Sequence, residues 1–216
     1  MDATTYPAKA TPKSLRTRQR ILDATMRLFA EVGYGAASNS VIAAAAKLTR
    51  GAMLYHFATR EELVEGAVAH IELARAKLFE QAARASSAQL AAGAGLDASE
   101  QAIDAYWALL HEIPFVAFAE LEAAARTDPM LKARLAAAQA AFDHAQVGER
   151  FGALAQAGAD PRFQTSRDLG RFLLEGLARG AMTYDQAARR DRLLAVVKRA
   201  VRMLNRKGGI HDLWGE

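Results

Sequence analysis

The spacing of apolar residues constrains this chain most, because from residue 14 onward it is helical and nowhere alternates as a strand does. Alanine-rich stretches such as ARLAAAQAAF at 133–142 favour helix as well, since alanine has the highest helix propensity. The first amphipathic stripe consists of Ile21, Leu22, Leu28, Phe29 and Val32. The sequence predicts an all-α fold.

Capping residues then divide the first part of the chain into three helices. Gly33 predicts the end of the first, because glycine tolerates the left-handed conformation that ends helices. Ser38 and Thr49 are suited to cap two short helices, the second ending near Phe57. Residues 38–57 are therefore predicted to form a helix, a tight turn and a helix.

Capping boxes and prolines mark the later helices. Thr59 and Glu62 predict a fourth, long helix that reaches about Ala92, before the GAG sequence at 93–95. The remaining helices are predicted from the Asp97/Glu100 capping box to His111, from Pro114, from Pro129 toward Gly158, over 166–187 and over 190–206.

Composition excludes several classes of protein. A chain of 216 residues with 51% hydrophobic content can bury a sizeable core. It has no cysteine, so disulfides and thiolate metal sites are excluded, and a reducing cytoplasm is the expected compartment. No apolar run approaches the roughly 20 residues needed to cross a bilayer, and we expect no membrane partner.

Positive charge is concentrated at the N-terminal end. Residues 1–60 hold nine Lys and Arg against three Asp and Glu, a net charge of +6, whereas the remaining residues hold 19 against 21. This asymmetry is typical of a segment that meets nucleic acid or an anionic surface, although a solvated basic tail has the same composition. We predict a disordered basic arm at 1–13, a DNA-binding domain at 14–60 and a second helical domain at 61–216.

The stretch LTRGAMLYHF at 48–57 has the features of a DNA-recognition helix. Arg50 in its first turn can reach a guanine edge in the major groove, and Tyr55 and His56 can donate to phosphates. Met53 and Phe57, four residues apart, are expected to pack against the first helix. Two short helices also occur in plain bundles, so the pattern alone leaves that alternative open.

Residues 16–64, RTRQRILDATMRLFAEVGYGAASNSVIAAAAKLTRGAMLYHFATREELV, resemble the DNA-binding domain of TetR-family transcriptional regulators. The resemblance implies a three-helix head followed by an all-helical domain that binds a ligand and dimerises. Arg60 matches a position where the family usually has a lysine that grips the DNA backbone. The DNA-binding residues implied are Ser38, Thr49, Arg50, Gly51, Ala52, Tyr55, His56 and Arg60.

Two residues depart from the family pattern. Leu54 stands where the family usually has a tyrosine, so one phosphate contact is expected to be missing. Lys47 replaces the usual turn glycine, so a residue with a side chain is expected to adopt the left-handed conformation at a cost of about 1 kcal/mol.

The last two predicted helices carry the expected dimer interface. Gly176 and Gly180 lie four residues apart, where missing side chains let another helix approach, and each costs about 1 kcal/mol relative to alanine within a helix. The alternative is two glycines tolerated on a surface. The predicted interface consists of Leu173, Gly176, Leu177, Gly180, Leu193, Val197, Val201 and Leu204.

Residues 103–122 concentrate aromatic and polar side chains in an alanine-rich background, as a ligand pocket does. Ordinary core aromatics are the alternative. The candidate ligand-binding residues are Tyr106, Trp107, His111, Phe115, Phe118 and Glu122.

The sequence lacks the motifs of the common enzyme classes: it has no G-x-S-x-G, H-E-x-x-H, P-loop or G-x-G-x-x-G, and no Glu-x-x-His pair. We therefore expect no catalytic residue, no cofactor and no metal. The expected function is a ligand-responsive repressor that binds an inverted-repeat DNA operator as a homodimer and releases it on binding a small-molecule effector. The alternatives are an architectural DNA-binding protein without an effector and, as the less favoured one, a helical-bundle enzyme.

Overall fold

A computed structural model describes residues 11–91, 98–147, 161–184 and 186–205, and every regular element in these ranges is an α-helix. The predicted all-α fold is confirmed. None of the helices described is both long enough and apolar enough to cross a bilayer. In chain order they are α1 (Pro12–Ala36), α2 (Asn39–Ala45), α3 (Arg50–His56), α4 (Arg60–Ala91), α5 (Ala98–Leu109), α6 (Ile113–Ala125), α7 (Pro129–Val147), α8 (Pro161–Thr183) and α9 (Ala187–Asn205).

Helix α1 begins slightly earlier than predicted, inside the segment 1–13 that was expected to be a disordered arm; residues 1–10 lie outside the described part. Thr11 Oγ1 accepts a hydrogen bond from Ser14 N at 3.2 Å, and Pro12 occupies the first helical position, where its missing N–H is not needed. The predicted stop at Gly33 is a kink. Gly33 has φ 81° and ψ 163°, which glycine adopts readily, and the helix resumes to Ala36.

The caps predicted for α2 and α3 are present. Ser38 Oγ accepts a hydrogen bond from Val41 N at 3.4 Å, and Thr49 Oγ1 accepts one from Ala52 N at 3.1 Å. These bonds satisfy backbone donors that have no partner inside a helix. The helix, turn and helix predicted over 38–57 is confirmed.

The turn between α2 and α3 is a Schellman motif centred on Lys47. Lys47 N donates to Ala44 O and Leu48 N donates to Ala43 O, both at 2.9 Å. Lys47 has φ 54°, at the position where helices usually place glycine. The left-handed conformation expected for this lysine is confirmed.

Helix α4 begins at the predicted capping box. Glu62 N donates to Thr59 Oγ1 at 3.1 Å, and Glu62 Oε2 accepts a hydrogen bond from Ala58 N at 2.7 Å. The two bonds tie Glu62 to Thr59 and to the residue before it, and so fix the first turn of a helix that continues to Ala91, close to its predicted end.

Proline marks the start of three later helices. Pro114 lies in the first turn of α6 and Pro129 is the first residue of α7, as predicted. Helix α8 begins at Pro161, five residues before the predicted start at 166, because proline is suited to a first helical turn. The predicted break at 93–95, the cap at Asp97 and the approach to Gly158 lie outside the described residues.

The chain forms two compact units, which we call unit 1 and unit 2. Unit 1 comprises the described residues of Met1–Arg75 and Ile113–Ala140. Its core is continuous from the first three helices into α4, α6 and α7, and α6 packs directly against α1. Phe29, Ile42, Met53 and Phe57 are fully buried in this core.

Unit 2 comprises the described residues of Ala76–Glu112 and Ala141–Glu216. Here α8 and α9 pack against each other and against α5, around a buried cluster of Ile103, Leu174, Val197 and Val201. The division into domains at residue 60, which follows the chain rather than its packing, stays a prediction.

Candidate nucleic-acid interface

Helix α3 has one buried and one exposed face. Met53 and Phe57 are fully buried, as predicted, and attach the helix to the core of unit 1. Arg50, Gly51 and Ala52 are exposed, and Tyr55 keeps 84% of its surface accessible. A tyrosine that belonged to the core would be largely buried. The outer face of α3 is therefore available to a partner.

Arg50 borders a shallow surface depression of about 370 Å³. The depression collects polar groups from the end of α1, the start of α2, and the first turns of α3 and α4. Its lining consists of Gly35, Ser38, Asn39, Ser40, Arg50 and Arg60. Hydroxyl, amide and guanidinium donors on one open surface are the groups that proteins use to contact phosphate oxygens.

Arg60 turns much of its guanidinium toward the protein. Nη1 donates to Ala37 O at 2.7 Å and lies 3.4 Å from Asn39 Oδ1, while Nη2 donates to Tyr34 O at 3.3 Å. Its guanidinium carbon also lies 5.2 Å from the ring centroid of Tyr34. Arg60 therefore ties the first turn of α4 to the end of α1 and the start of α2, which the sequence did not predict.

Tyr55 and His56 end α3 side by side, with their rings edge to face at 5.4 Å between centroids. Partial burial, and after it the positive charge of Arg18, lower the pKa of His56 below its usual value of 6.5. Both effects favour the neutral form of His56 in the free protein. The neighbouring Leu54 is half-buried.

The predicted ligand-binding residues are divided between the two units. In unit 1, Phe115 and Phe118 are buried beneath the guanidinium of Arg75, which lies 3.8 Å from the Phe118 centroid and 5.1 Å from that of Phe115. Arg75 Nη2 donates to Gln139 Oε1 at 3.2 Å. Glu122 is half-buried on α6.

In unit 2, Tyr106 belongs to a network of aromatic and charged groups. Its hydroxyl donates to Glu175 Oε1 at 2.9 Å, and Arg171 bridges Glu175 and Asp143 at 3.0 and 2.8 Å. Burial works against the charged form of Arg171, but the neighbouring carboxylates outweigh it and raise the pKa of the guanidinium.

Aromatic rings line the same network: the Phe79 ring lies edge-on to those of Tyr106 and Phe142 at 6.4 and 5.7 Å. We call Phe79, Tyr106, Phe142, Asp143, Arg171 and Glu175 the Tyr106 cluster. Trp107 and His111 pack on each other at 4.7 Å, and His111 is exposed.

The residues predicted for a dimer interface fall into two sets. Leu173 and Leu193 are exposed, Leu177 is half-buried, and a Cβ placed on Gly176 or Gly180 would meet nothing within 4 Å. Val197 and Val201 are instead buried in the core of unit 2, against Leu174, so their apolar character is explained without a second subunit. The side chain of Leu204 lies outside the described part of the structure.

Sequence reasoning missed the residues that act through tertiary contacts. Arg18 reaches α3 across 38 positions of the chain, and the Tyr106 cluster joins four helices. Only the four-residue spacing of Arg171 and Glu175 on α8 is visible in the sequence, and it predicts an ion pair on any helix surface.

A helix-turn-helix whose second helix exposes arginine, small residues and tyrosine defines a DNA-binding regulator of the helix-turn-helix class. Residues 21–67 match the family described as bacterial regulatory proteins, tetR family. The HTH-type transcriptional regulator AcrR of Shigella flexneri is 42% identical over 55 residues, which is 26% of this chain and 26% of that protein. The match therefore spans about a quarter of this relative.

Solved structures share the fold over most of the chain. Salmonella enterica GusR, at 19% identity, aligns with a TM-score of 0.62 over 91% of this chain and 98% of its own. The multidrug binding protein EbrR, solved with imidazole, is 26% identical and aligns with a TM-score of 0.55 over 84% of this chain and 93% of its own. Residues 21–67 are therefore a DNA-binding segment of the tetR family of bacterial regulatory proteins, and the chain shares its overall fold with GusR and EbrR.

Proposed function

We propose that the protein is a transcriptional repressor that binds an inverted-repeat DNA operator as a homodimer and is released by a small-molecule effector. One observation carries the DNA-binding part. Met53 and Phe57 anchor helix α3 in the core of unit 1, whereas its exposed face consists of Arg50, Gly51, Ala52 and Tyr55. A helix mounted in this way can enter a major groove about 12 Å wide.

Each residue of the candidate interface has a separate role in the proposal. Arg50 reads a base edge, because a guanidinium can fork onto the O6 and N7 of guanine. Gly51 and Ala52 let the backbone of α3 approach the groove. Ser38, Thr49, Tyr55, His56 and Arg60 contact the sugar-phosphate backbone, which positions the protein without reading sequence.

The proposed dimer uses the exposed apolar surface of α8 and α9. Phe172 is 64% exposed and Val196 62% exposed, and the open positions Gly176 and Gly180 lie on α8 beside this surface. Large apolar side chains that are exposed together on neighbouring helices indicate an interaction site, whereas single ones are ordinary on a protein surface. A two-fold dimer pairs the same surface with itself and presents two α3 helices to successive major grooves.

The proposed effector binds within the helical part that follows the head, and the Tyr106 cluster is its candidate site. EbrR is known in complex with imidazole and with proflavin. The Tyr106 cluster combines aromatic walls with a few placed polar groups, which is the usual composition of a small-molecule site. Trp107 and His111 follow Tyr106 in the sequence and belong to unit 2, whereas Phe115, Phe118 and Glu122 belong to unit 1.

Release from DNA requires that the effector favour a conformation whose α3 helices are misplaced, since a ligand indifferent to two states shifts neither. Two helices offer a route to the head. Helix α4 begins in the head at Arg60, and α6 packs against α1 within the core of unit 1. Movement of either would displace the helix-turn-helix.

Enrichment of genomic DNA tests the proposal. Purified protein is incubated with sheared DNA of its source genome, and the bound fragments are sequenced. We expect fragments that share an inverted repeat with half-site centres about 34 Å apart or a multiple of that distance. Enrichment without a shared sequence would favour an architectural DNA-binding protein instead.

The variant Arg50→Ala then tests the assignment of α3. Loss of a bidentate contact to guanine should lower the ratio of operator to random-DNA affinity by about 10- to 100-fold. Arg126→Ala, which removes the same charge after α6, is the control and should leave the ratio unchanged. An unchanged ratio in Arg50→Ala would show that α3 does not read the bases through this residue.

A further inference from the structure

We propose that Arg18 is a positioning residue for DNA recognition: it holds the C-terminal end of α3 in place from α1 without touching DNA. The inference rests on the proposed function, because it concerns how α3 is presented to an operator. Its basis is one hydrogen bond and one stacking contact. Arg18 Nη1 donates to His56 O at 2.8 Å, and its guanidinium carbon lies 3.9 Å from the ring centroid of Phe57.

The hydrogen bond satisfies a group that α3 cannot satisfy itself. Helix α3 has seven residues and ends at His56, so the carbonyl of His56 has no later helical N–H to accept from. The last carbonyls of a helix carry partial negative charge, which a nearby cation stabilises. Arg18 supplies both the donor and the charge, and this charge also contributes to the lowered pKa of His56.

The stacking contact acts on the residue that anchors α3. Phe57 is fully buried, follows α3 directly, and donates its N–H to Met53 O at 3.0 Å. A guanidinium over its ring is attracted by the negative face of the ring. One side chain from α1 therefore contacts both the end of the helix and its anchor.

Gly66 on α4 gives these groups the space they occupy. A Cβ at Gly66 would lie 3.0 Å from Phe57 Cε1, 3.3 Å from Leu22 Cδ2 and 3.7 Å from Arg18 Nη2. The first two distances are tighter than most contacts that a Cβ makes, so Phe57 and Leu22 would have to shift by a few tenths of an ångström to admit a side chain at residue 66. We call Arg18, Phe57 and Gly66 the Arg18 joint.

The Arg18 joint matters for recognition because α3 is so short. Met53 is the one buried side chain among its seven residues, and the joint holds its C-terminal end. A recognition residue must be held within about 0.5 Å of its productive position, so a loosened end would misplace Arg50 and Tyr55 together.

The test compares Arg18→Gln, Arg18→Lys and wild type for binding to the enriched operator fragment and to a random duplex across a range of salt concentrations. Arg16→Gln is the matched control, because Arg16 is exposed on the same helix and carries the same charge. We expect Arg18→Gln to lower the ratio of operator to random-DNA affinity about tenfold and Arg18→Lys to lower it less. Arg16→Gln should leave the ratio unchanged.

The salt dependence separates positioning from direct contact. A phosphate contact contributes about one unit to the slope of log affinity against log salt, so an unchanged slope is expected for Arg18→Gln. Proton NMR supplies a second readout that a general loss of stability would not produce. The pKa of His56 should move up toward 6.5 in Arg18→Gln and stay at its wild-type value in Arg16→Gln.

Gly66→Ala tests the same joint without removing Arg18. Alanine favours helix, so this variant should keep α4 intact while its methyl group pushes on Phe57, over whose ring the Arg18 guanidinium lies, and on Leu22. Circular dichroism verifies that each variant is folded, and Gly66→Ala should share the reduced ratio of Arg18→Gln.

Three results would overturn the inference: a ratio unchanged in both Arg18→Gln and Gly66→Ala, a salt slope shallower by one unit in Arg18→Gln, or a His56 pKa that does not move. Failure of the wild type to prefer any duplex would be distinguishable from these, because it would contradict the proposed function itself and the inference with it.

Discussion

Arg60 Nη1 donates a hydrogen bond of 2.7 Å to the carbonyl oxygen of Ala37, so the residue that family resemblance assigns to a DNA phosphate is held by the protein's own backbone. Its second terminal nitrogen is bound to Tyr34 O. Arginine can serve both partners, because it has five donors in a planar fork.

Arg60→Lys and Arg60→Ala separate these two roles. Lysine keeps the charge but cannot reproduce the fork, so Arg60→Lys should lower the free energy of unfolding by about 1–2 kcal/mol while the salt slope of DNA binding is kept. Arg60→Ala should also make the slope shallower by about one unit. Chemical denaturation and salt titrations measure both effects. A slope unchanged in Arg60→Ala would restrict Arg60 to its internal contacts.

Lys47→Gly should stabilise the protein. Lys47 has φ 54° in the turn between α2 and α3, where a side chain costs about 1 kcal/mol and glycine does not. We expect the free energy of unfolding to rise by about 1 kcal/mol in chemical denaturation. Lys47→Ala removes the same charge and keeps the strain, so its stability should match the wild type. Equal free energies of unfolding for the glycine and alanine variants would show that the left-handed conformation of residue 47 is not strained.

DNA binding should strengthen as the pH falls below 7. The pKa of His56 lies below 6.5 in the free protein, and a phosphate beside it in the complex would raise that pKa. Binding would then take up a proton, and affinity would rise by up to about tenfold per pH unit between the free and bound values.

The free energy of unfolding should instead decrease as the pH is lowered. The unfolded chain protonates His56 near pH 6.5 and the folded protein only at lower pH. The contribution of His56 to stability is therefore present above pH 6.5 and lost as the pH falls through the folded value. His56→Gln should remove both pH dependences, measured by DNA titration and by thermal unfolding. Persistence of either in His56→Gln would assign it to another group.

Gly180→Leu should break the proposed dimer and leave the protomer folded. Gly180 is exposed and a Cβ there meets nothing within 4 Å, so we expect the protomer to accept leucine, whereas leucine would overpack a close helix contact between subunits. Sedimentation should show a dimer for the wild type and a monomer for Gly180→Leu at micromolar concentration. Ala133→Leu adds the same side chain at an exposed position of α7 and should stay dimeric. A monomeric wild type would contradict the dimer.

Effector binding should be weakened by operator DNA. Trp214→Phe leaves Trp107 as the sole tryptophan, next to Tyr106 in sequence. An effector identified by release of protein from operator DNA should change the Trp107 fluorescence, and saturating operator should raise its apparent dissociation constant. The factor must equal the weakening of DNA by effector, typically about 5- to 150-fold, because binding linkage is reciprocal. An effector affinity indifferent to operator would remove the allosteric part of the proposal.

Local features of the sequence determined the helices and their ends. The caps at Ser38, Thr49 and Thr59 act within four residues, and the left-handed strain at Lys47 follows from a missing glycine in a turn of fixed length. Such interactions depend on near neighbours in the chain, and they can therefore be predicted from its sequence. The burial of Met53 and Phe57 was predictable for the same reason, since helical spacing places them on one face.

Only the tertiary structure decided how the recognition helix is held and where side chains from distant helices meet. Arg18 and Arg60 look like further basic residues of a basic segment, yet packing brings them to the carbonyls of His56 and Ala37. Val197 belongs to the same apolar stripe as Leu193, and the positions of α5 and α8 decide that Val197 is buried and Leu193 is exposed. A periodic pattern specifies a face of a helix, whereas the partner of that face depends on where the rest of the chain places it.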